Sequence, residues 1–278
     1  MGTLYIVATP IGNMNDISFR AVETLQTVDF VACEDTRVSG KFLQNLQIDA
    51  KLISYHHHNR IEKIDEIVNR LKNGENGALI SDAGTPCISD PGFELVRTCH
   101  KNNIKVCAVP GASAFVAAVS ICGLDTSKII FEGFLETVKS ARVKRLENIK
   151  NNDHTLVFFE SKHKLKNTLV DMFEVLGDRK ISVIREITKV YENVTLTTLS
   201  EAVLKCDEVE PRGEYVLVVE GAGKTDDGGG KLEKAVKFAE KLAEHGLSVN
   251  QAAKIVAVEF DVKKRDVYAN LTEKMQDL

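Results

Sequence analysis

Apolar residues gather in short runs along the first half of this chain, and between the runs they recur at helical spacing. Leu4–Ala8, Asp29–Cys33, Leu52–Ser54, Ala78–Ile80 and Ile104–Val109 read as strands. Between the third and fourth, Ile61, Ile64, Ile67, Val68 and Leu71 trace one face of a helix that Asn59 can cap and Gly74 can end. Asp90 and Pro91 read as an N-cap and first-turn pair for the next helix. Pro110-Gly111 opens a helix of small residues that ends at Gly123. The alternation of strand and helix predicts a parallel α/β sheet.

After about residue 125 the rhythm changes. Strands are expected at Ile129–Glu132, Thr155–Phe159, Ile181–Ile184, Val194–Thr198 and Tyr215–Val219, with the short helical run Ser200–Cys206 between the last two. That spacing predicts a second α/β domain with a mixed sheet. Gly221–Gly230, reading GAGKTDDGGG, has the composition of a flexible linker. The remainder is helical: Ser248 caps Val249–Val258, and a turn near Asp261 leads to Lys263-Lys264-Arg265, a helix-turn-helix-like spacing. The expected division is residues 1–118 and 119–222 for the two α/β domains, 223–230 for the linker and 231–278 for the helical module.

Composition narrows the class. The 278 residues are 44% hydrophobic and 27% charged, with a net charge of −4, so the chain as a whole is no basic nucleic-acid binder. Residues 139–166 are an exception, with eight basic against three acidic side chains; such a patch can hold phosphates. Six cysteines lack CxxC spacing and read as reduced core residues of a cytoplasmic protein. Val106–Leu124 has no charge over nineteen residues, but Pro110-Gly111 breaks it, so no membrane span or signal peptide is expected.

Four loops leave expected strand ends: Thr9–Asn13, Glu34–Arg37, Ser81–Pro86 and Pro110–Ala114. In open parallel sheets ligands bind at that edge. The loops are rich in Gly and Pro, which bring backbone close to a ligand and fix its shape. They carry Asp82, Thr85 and Ser113 but no cluster of Lys or Arg, so the expected ligand is polar and adenosine-like rather than a polyphosphate. Gly223-Lys224-Thr225 is no P-loop, since Val218 stands where that motif needs glycine. His56-His57-His58 alternate in direction and lack a partner motif, so no metal site is expected.

Together, Thr9–Asn13, Glu34–Arg37, His58-Asn59, Ser81–Pro86, Asp90–Gly92, Pro110-Gly111, Glu132–Phe134, Phe159–Ser161, Arg185–Lys189 and Gly213-Glu214 resemble the bacterial 16S ribosomal RNA cytidine 2′-O-ribose methyltransferases. Those enzymes are a branch of the tetrapyrrole-methylase-like (class III) methyltransferases. The resemblance implies S-adenosyl-L-methionine held in the cleft between two α/β domains, with a small C-terminal all-helical module. It also implies a homodimer and, as partner, the small ribosomal subunit or its 16S rRNA. Carried over by position, Pro10, Asp82, Thr85, Ser113 and Ala114 are the expected cofactor contacts, and Glu160 a further cofactor-facing residue.

A ribose hydroxyl attacks an activated methyl once its proton is removed or its developing charge is stabilised. Glu160 or Glu186 is the expected proton acceptor, and Lys189 or Arg185 the stabilising cation. Two rivals stand beside this reading. One is a tetrapyrrole C-methyltransferase, which needs neither basic patch nor helical tail. The other is a ligand-sensing helix-turn-helix regulator that binds DNA without turnover.

Overall fold

The computed structural model describes residues 1–56, 59–208, 211–223, 227–244, 247–260 and 262–276. They form two compact units, Met1–Gly221 and Ala222–Leu278.

The first unit opens with β1 (Thr3–Val7), α1 (Phe19–Thr27), β2 (Phe30–Cys33), α2 (Thr36–Asn45) and β3 (Leu52–Ser54). It continues with α3 (Arg60–Lys72), β4 (Gly77–Leu79), α4 (Phe93–Lys101), β5 (Lys105–Val109) and α5 (Ala114–Ile121). The five strands make a wholly parallel sheet in the order β3-β2-β4-β1-β5. Helices cover both faces, so the strands are apolar without alternation. Leu4, Phe30 and Leu79 face one core, while Val7, Val31 and Ala78 face the other.

Two caps differ from expectation. Asn59 precedes α3 but makes no side-chain cap bond. Its side chain instead accepts from the His56 amide at 2.9 Å and donates to the Ser54 carbonyl at 3.1 Å, closing the turn behind it. Asp90 is not the cap of α4 either, because that helix begins at Phe93 with Gly92 in the cap position. Pro91 and Gly92 intervene, and a capping side chain must sit directly before the first helical residue to reach the orphan amides.

A second sheet follows. Its elements are β6 (Ile129–Phe134), α6 (Lys139–Ile149), β7 (Thr155–Ser161), α7 (Leu165–Leu176), β8 (Lys180–Arg185), β9 (Asn193–Thr198), α8 (Leu199–Glu208) and β10 (Glu214–Val219). The order is β6-β7-β10-β8-β9; only β6 and β7 run parallel. Leu156, Phe158 and Leu217 pack under Leu169 and Met172 of α7 and Ala202 of α8. On the opposite face, Val157, Ile184, Val216 and Val218 receive Ala118 of α5 and Cys122 just after it. The uncharged stretch Val106–Leu124 is therefore an edge strand buried only at Val109, a turn and a helix seated on the second sheet. No helix among the described residues is long and apolar enough to cross a membrane.

The basic stretch 139–166 is not a bare phosphate-binding face. Arg142 is only 4% exposed and forms a core ion pair with Asp171, at 2.6 Å. Arg145 pairs with Glu132 at 2.6 Å, Lys150 with Glu147 at 2.5 Å, and Lys139 with Asp171 at 3.2 Å. The acidic partners mostly lie outside the stretch, where a local charge count misses them. Lys144 and Lys162 remain exposed without an ion pair among the described residues.

The second unit holds α9 (Asp227–Glu244), α10 (Val249–Glu259) and α11 (Lys264–Gln276) around Ala235, Ala239, Ala253, Val256, Val267 and Leu271. Ser248 and Gln251 form a complete capping box at the start of α10. Helix α9 takes in Gly228–Gly230, which composition assigned to the linker; it gains from the apolar stripe further along the same helix. Residues 224–226 of that linker, and the turn residue Asp261, lie outside the described residues.

Candidate active site

Three loops meet at the carboxyl ends of β1, β4 and β5, where strand order places β1 between its two neighbours. The Thr9 amide donates to the Gly84 carbonyl at 2.8 Å, and the Gly84 amide returns a bond to the Thr9 carbonyl at 3.1 Å. The Thr9 hydroxyl donates to the Ser81 carbonyl at 3.2 Å, and the Thr85 hydroxyl to the Ala112 carbonyl at 3.1 Å. Glycines and prolines in Ser81–Gly92 thus let loop backbones interlock, producing a rim fixed before any ligand arrives.

That rim and the second sheet enclose a cavity of about 330 Å³, a size suited to a small molecule. From the first sheet come Asp82, Gly84, Thr85, Asp90, Ser113 and Ala114. From the second come Phe134, Phe159, Glu160, Lys189, Glu214 and Val216. Phe159 joins an aromatic row, its ring centroid 5.0 Å from Phe131 and 5.5 Å from Phe134. Phe134 is half exposed at the edge of the cavity, with the Lys164 ammonium 5.7 Å from its ring centroid.

Lys189 is the one cation lining this cavity among the described residues. Its ammonium donates to Glu186 Oε1 at 2.9 Å and to Glu214 Oε2 at 2.6 Å. Burial pulls the Lys189 pKa down, but the two carboxylates more than offset that and leave it raised. The hydrogen bond from Lys189 holds Glu186 below the usual carboxylate range. Two glycines bring these groups together. A Cβ on Gly12, at φ +146°, would stand 2.5 Å from Lys189 Cγ, and one on Gly213, at φ +82°, 2.5 Å from the Glu186 carboxyl carbon. Bare backbone at these positions lets both loops press against the Lys189–Glu186 pair.

Glu160 is 2% exposed, and both its oxygens are engaged. Oε2 accepts from the Thr168 hydroxyl at 2.6 Å; Oε1 accepts from the Ser161 amide at 2.7 Å and lies 3.3 Å from the Lys164 ammonium. Asp82 Oδ1 accepts from the Asp35 amide at 3.4 Å. Asp35 caps α2, its Oδ1 accepting from the Arg37 amide at 2.8 Å, and it pairs with the exposed Arg37 guanidinium at 2.7 Å.

The cavity therefore gathers Asp82, Thr85, Ser113, Ala114, Glu160 and Lys189. Pro10 is buried in the interlocked loops, and its neighbour Ile11 lines the cavity instead. Glu186 reaches the cavity only through Lys189. Arg185 lines a separate cleft with Leu169 and Lys205, because successive strand residues point to opposite faces. Asp90, Glu214 and Phe134 were not singled out as site residues from sequence. Asp90 was hidden by its resemblance to a helix cap, while Glu214 and Phe134 stood in noticed motifs without an assigned role. His57 and His58 lie outside the described residues.

Comparison with known proteins fits this architecture. The family model for tetrapyrrole (corrin/porphyrin) methylases matches residues 3–203. The chain belongs to the tetrapyrrole methylase family. Within it, this tetrapyrrole methylase is 44% identical to a ribosomal RNA small subunit methyltransferase I of Synechocystis sp., covering 96% of both chains. It is 46% identical to the protein of that name from Haemophilus influenzae, covering 96% of this chain and 95% of the relative. A crystal structure of cobalt precorrin-4 methyltransferase shares the fold, with a TM-score of 0.60 at 17% identity over 78% of this chain and 94% of that one.

Proposed function

We propose that this tetrapyrrole methylase transfers a methyl group from S-adenosyl-L-methionine to the ribose 2′-hydroxyl of a cytidine in 16S rRNA of the small ribosomal subunit. The observation that carries this reading is near full-length similarity to proteins named for methylating small-subunit rRNA. The donor set fits a sulfonium nucleoside: a rigid rim of loop backbone, an apolar shelf of Phe159 and Val216, and several carboxylates around one cation. When bound, S-adenosyl-L-methionine supplies an already activated methyl, so the chain's task is chiefly positioning and charge control.

Asp82, Thr85, Ser113 and Ala114 hold the donor. Thr85 acts partly by fixing the Ala112 carbonyl, and the Ser113–Ala114 backbone opens α5. Lys189 faces the acceptor hydroxyl and stabilises the alkoxide that develops there. Glu186 and Glu214 fix the ammonium; Glu186, held below the usual carboxylate range by that bond, is a weak base. Glu160 braces the floor through Thr168. From the stretch 139–166, Lys144 and Lys162 are the exposed cations offered to RNA phosphates. Val190, Tyr191 and Leu196 stand exposed on or beside edge strand β9, and a second copy of the chain covers them in a cytoplasmic homodimer.

Transfer of labelled methyl to small ribosomal subunits, free 16S rRNA and uroporphyrinogen tests the reading. Label on RNA ribose is expected. Asp82→Ala should weaken donor binding about 10-fold or more in calorimetry, while Lys189→Ala should leave donor affinity near wild type and slow transfer about 100-fold. Label on the macrocycle, or the same effect from both variants, contradicts the assignment.

A further inference from the structure

Most carboxylates at the cavity are already tied. Glu186 and Glu214 share the Lys189 ammonium, and Glu160 holds the Thr168 hydroxyl, the Ser161 amide and Lys164. Asp82 receives the Asp35 amide. Asp90 differs. It lies in the loop Ser81–Gly92, lines the same cavity as Lys189, and caps no helix. Its polar surroundings are the Ser81 hydroxyl and the carboxylates of Glu34 and Asp82, with the Cys87 thiol and, beyond it, Glu94 on the same side. No Lys or Arg pairs with it among the described residues.

We infer that Asp90 is the proton acceptor of the transfer, taking the proton from the ribose hydroxyl while Lys189 stabilises the oxygen left behind. The inference rests on the methyl-transfer reading above. In the balanced step, the hydroxyl O–H bond breaks and its proton goes to an Asp90 oxygen. The hydroxyl oxygen forms a bond to the methyl carbon. The carbon–sulfur bond breaks with its electron pair retained by sulfur, which becomes a neutral thioether. The positive charge of the sulfonium thus leaves as the proton on Asp90, which passes it to solvent.

The surroundings suit this role. Burial, then the Glu34 and Asp82 charges, push the Asp90 pKa up to about 6, against a lowering hydrogen bond from Ser81. A base poised near the working pH is both deprotonated and strong enough to accept. Among the other carboxylates, Glu186 is held below the usual carboxylate range by the Lys189 hydrogen bond, where it is a poor acceptor.

The test uses the full chain and its Asp90→Asn and Asp90→Glu variants. Infrared pH-difference spectra of the free protein should show a protonated-carboxyl band that titrates near pH 6 and is absent from Asp90→Asn. Single-turnover transfer should fall about 100-fold or more in Asp90→Asn and less in Asp90→Glu. Donor affinity should stay within about threefold. The acidic limb of the wild-type pH–rate profile should vanish in Asp90→Asn and persist in Asp90→Glu. Wild-type rate or an unchanged acidic limb in a folded Asp90→Asn protein overturns the inference, as does a wild-type spectrum without that band. If wild type modifies no RNA at all while the band titrates as expected, the failure lies with the substrate reading rather than with the state of Asp90.

Discussion

At the scale of single residues, the site depends on what is missing as much as on what is present. Gly12 and Gly213 leave space that Lys189 and Glu186 occupy, so Gly12→Ala should push the Lys189 stem aside. Displacement near 1 Å is enough to reduce transfer about 100-fold, with the fold and donor affinity retained; stopped-flow transfer and calorimetry on the same variant check this. Asp90 gives a pH signature in stability. Its native pKa near 6 lies above its ordinary value of 3.8, so the folded state holds the proton more tightly than the unfolded chain. That contribution is present below about pH 4 and lost as pH rises through 6. Asp90→Asn should therefore melt higher than wild type at pH 7–8, and the gap should close toward pH 4; scanning calorimetry across that range decides it. From sequence, Asp82 and Thr85 were legible because they sit in a loop whose Gly and Pro spacing is hard to explain otherwise. Asp90 was not, since an Asp-Pro pair before an apolar run has a simpler local meaning that only helix onset at Phe93 excludes.

At the scale of elements, apolar runs located the ten strands among the described residues to within a few residues; nine of them carry at least one buried residue, and the edge strand β9 none. Charge was the poorer guide. Arg142 reads as part of a basic surface, yet the fold turns it inward onto Asp171 across the gap between α6 and α7. Asp171→Ala strands a buried guanidinium and should cost about 3–5 kcal/mol, seen as a lower urea midpoint. Replacing both partners by Met and Leu should cost less, because no uncompensated charge remains. In the C-terminal unit, Ser248→Ala removes the hydroxyl that accepts from the Gln251 amide and donates to Gln251 Oε1, leaving that oxygen only the backbone amide of residue 248. Amide exchange in Val249–Glu259 should quicken by the equivalent of about 1 kcal/mol, with the first unit unaffected.

At the scale of the whole molecule, a parallel sheet and a mixed sheet are joined through α5, whose buried Ala118 packs on the mixed sheet. The parallel sheet supplies interlocked loops; the mixed sheet supplies the aromatic row, Lys189 and its carboxylates. Sequence patterns revealed the two kinds of sheet, but not which loop residues face one another, since those meetings span distant parts of the chain. The account's central claim is that this cavity places an activated methyl against a ribose oxygen of small-subunit RNA. The most direct measurement incubates the protein with small ribosomal subunits and methyl-labelled S-adenosyl-L-methionine, then digests the RNA with alkali and nuclease. The account predicts label in one alkali-resistant dinucleotide carrying a 2′-O-methylcytidine. Label recovered on a base, spread without site preference, or absent from RNA would contradict it.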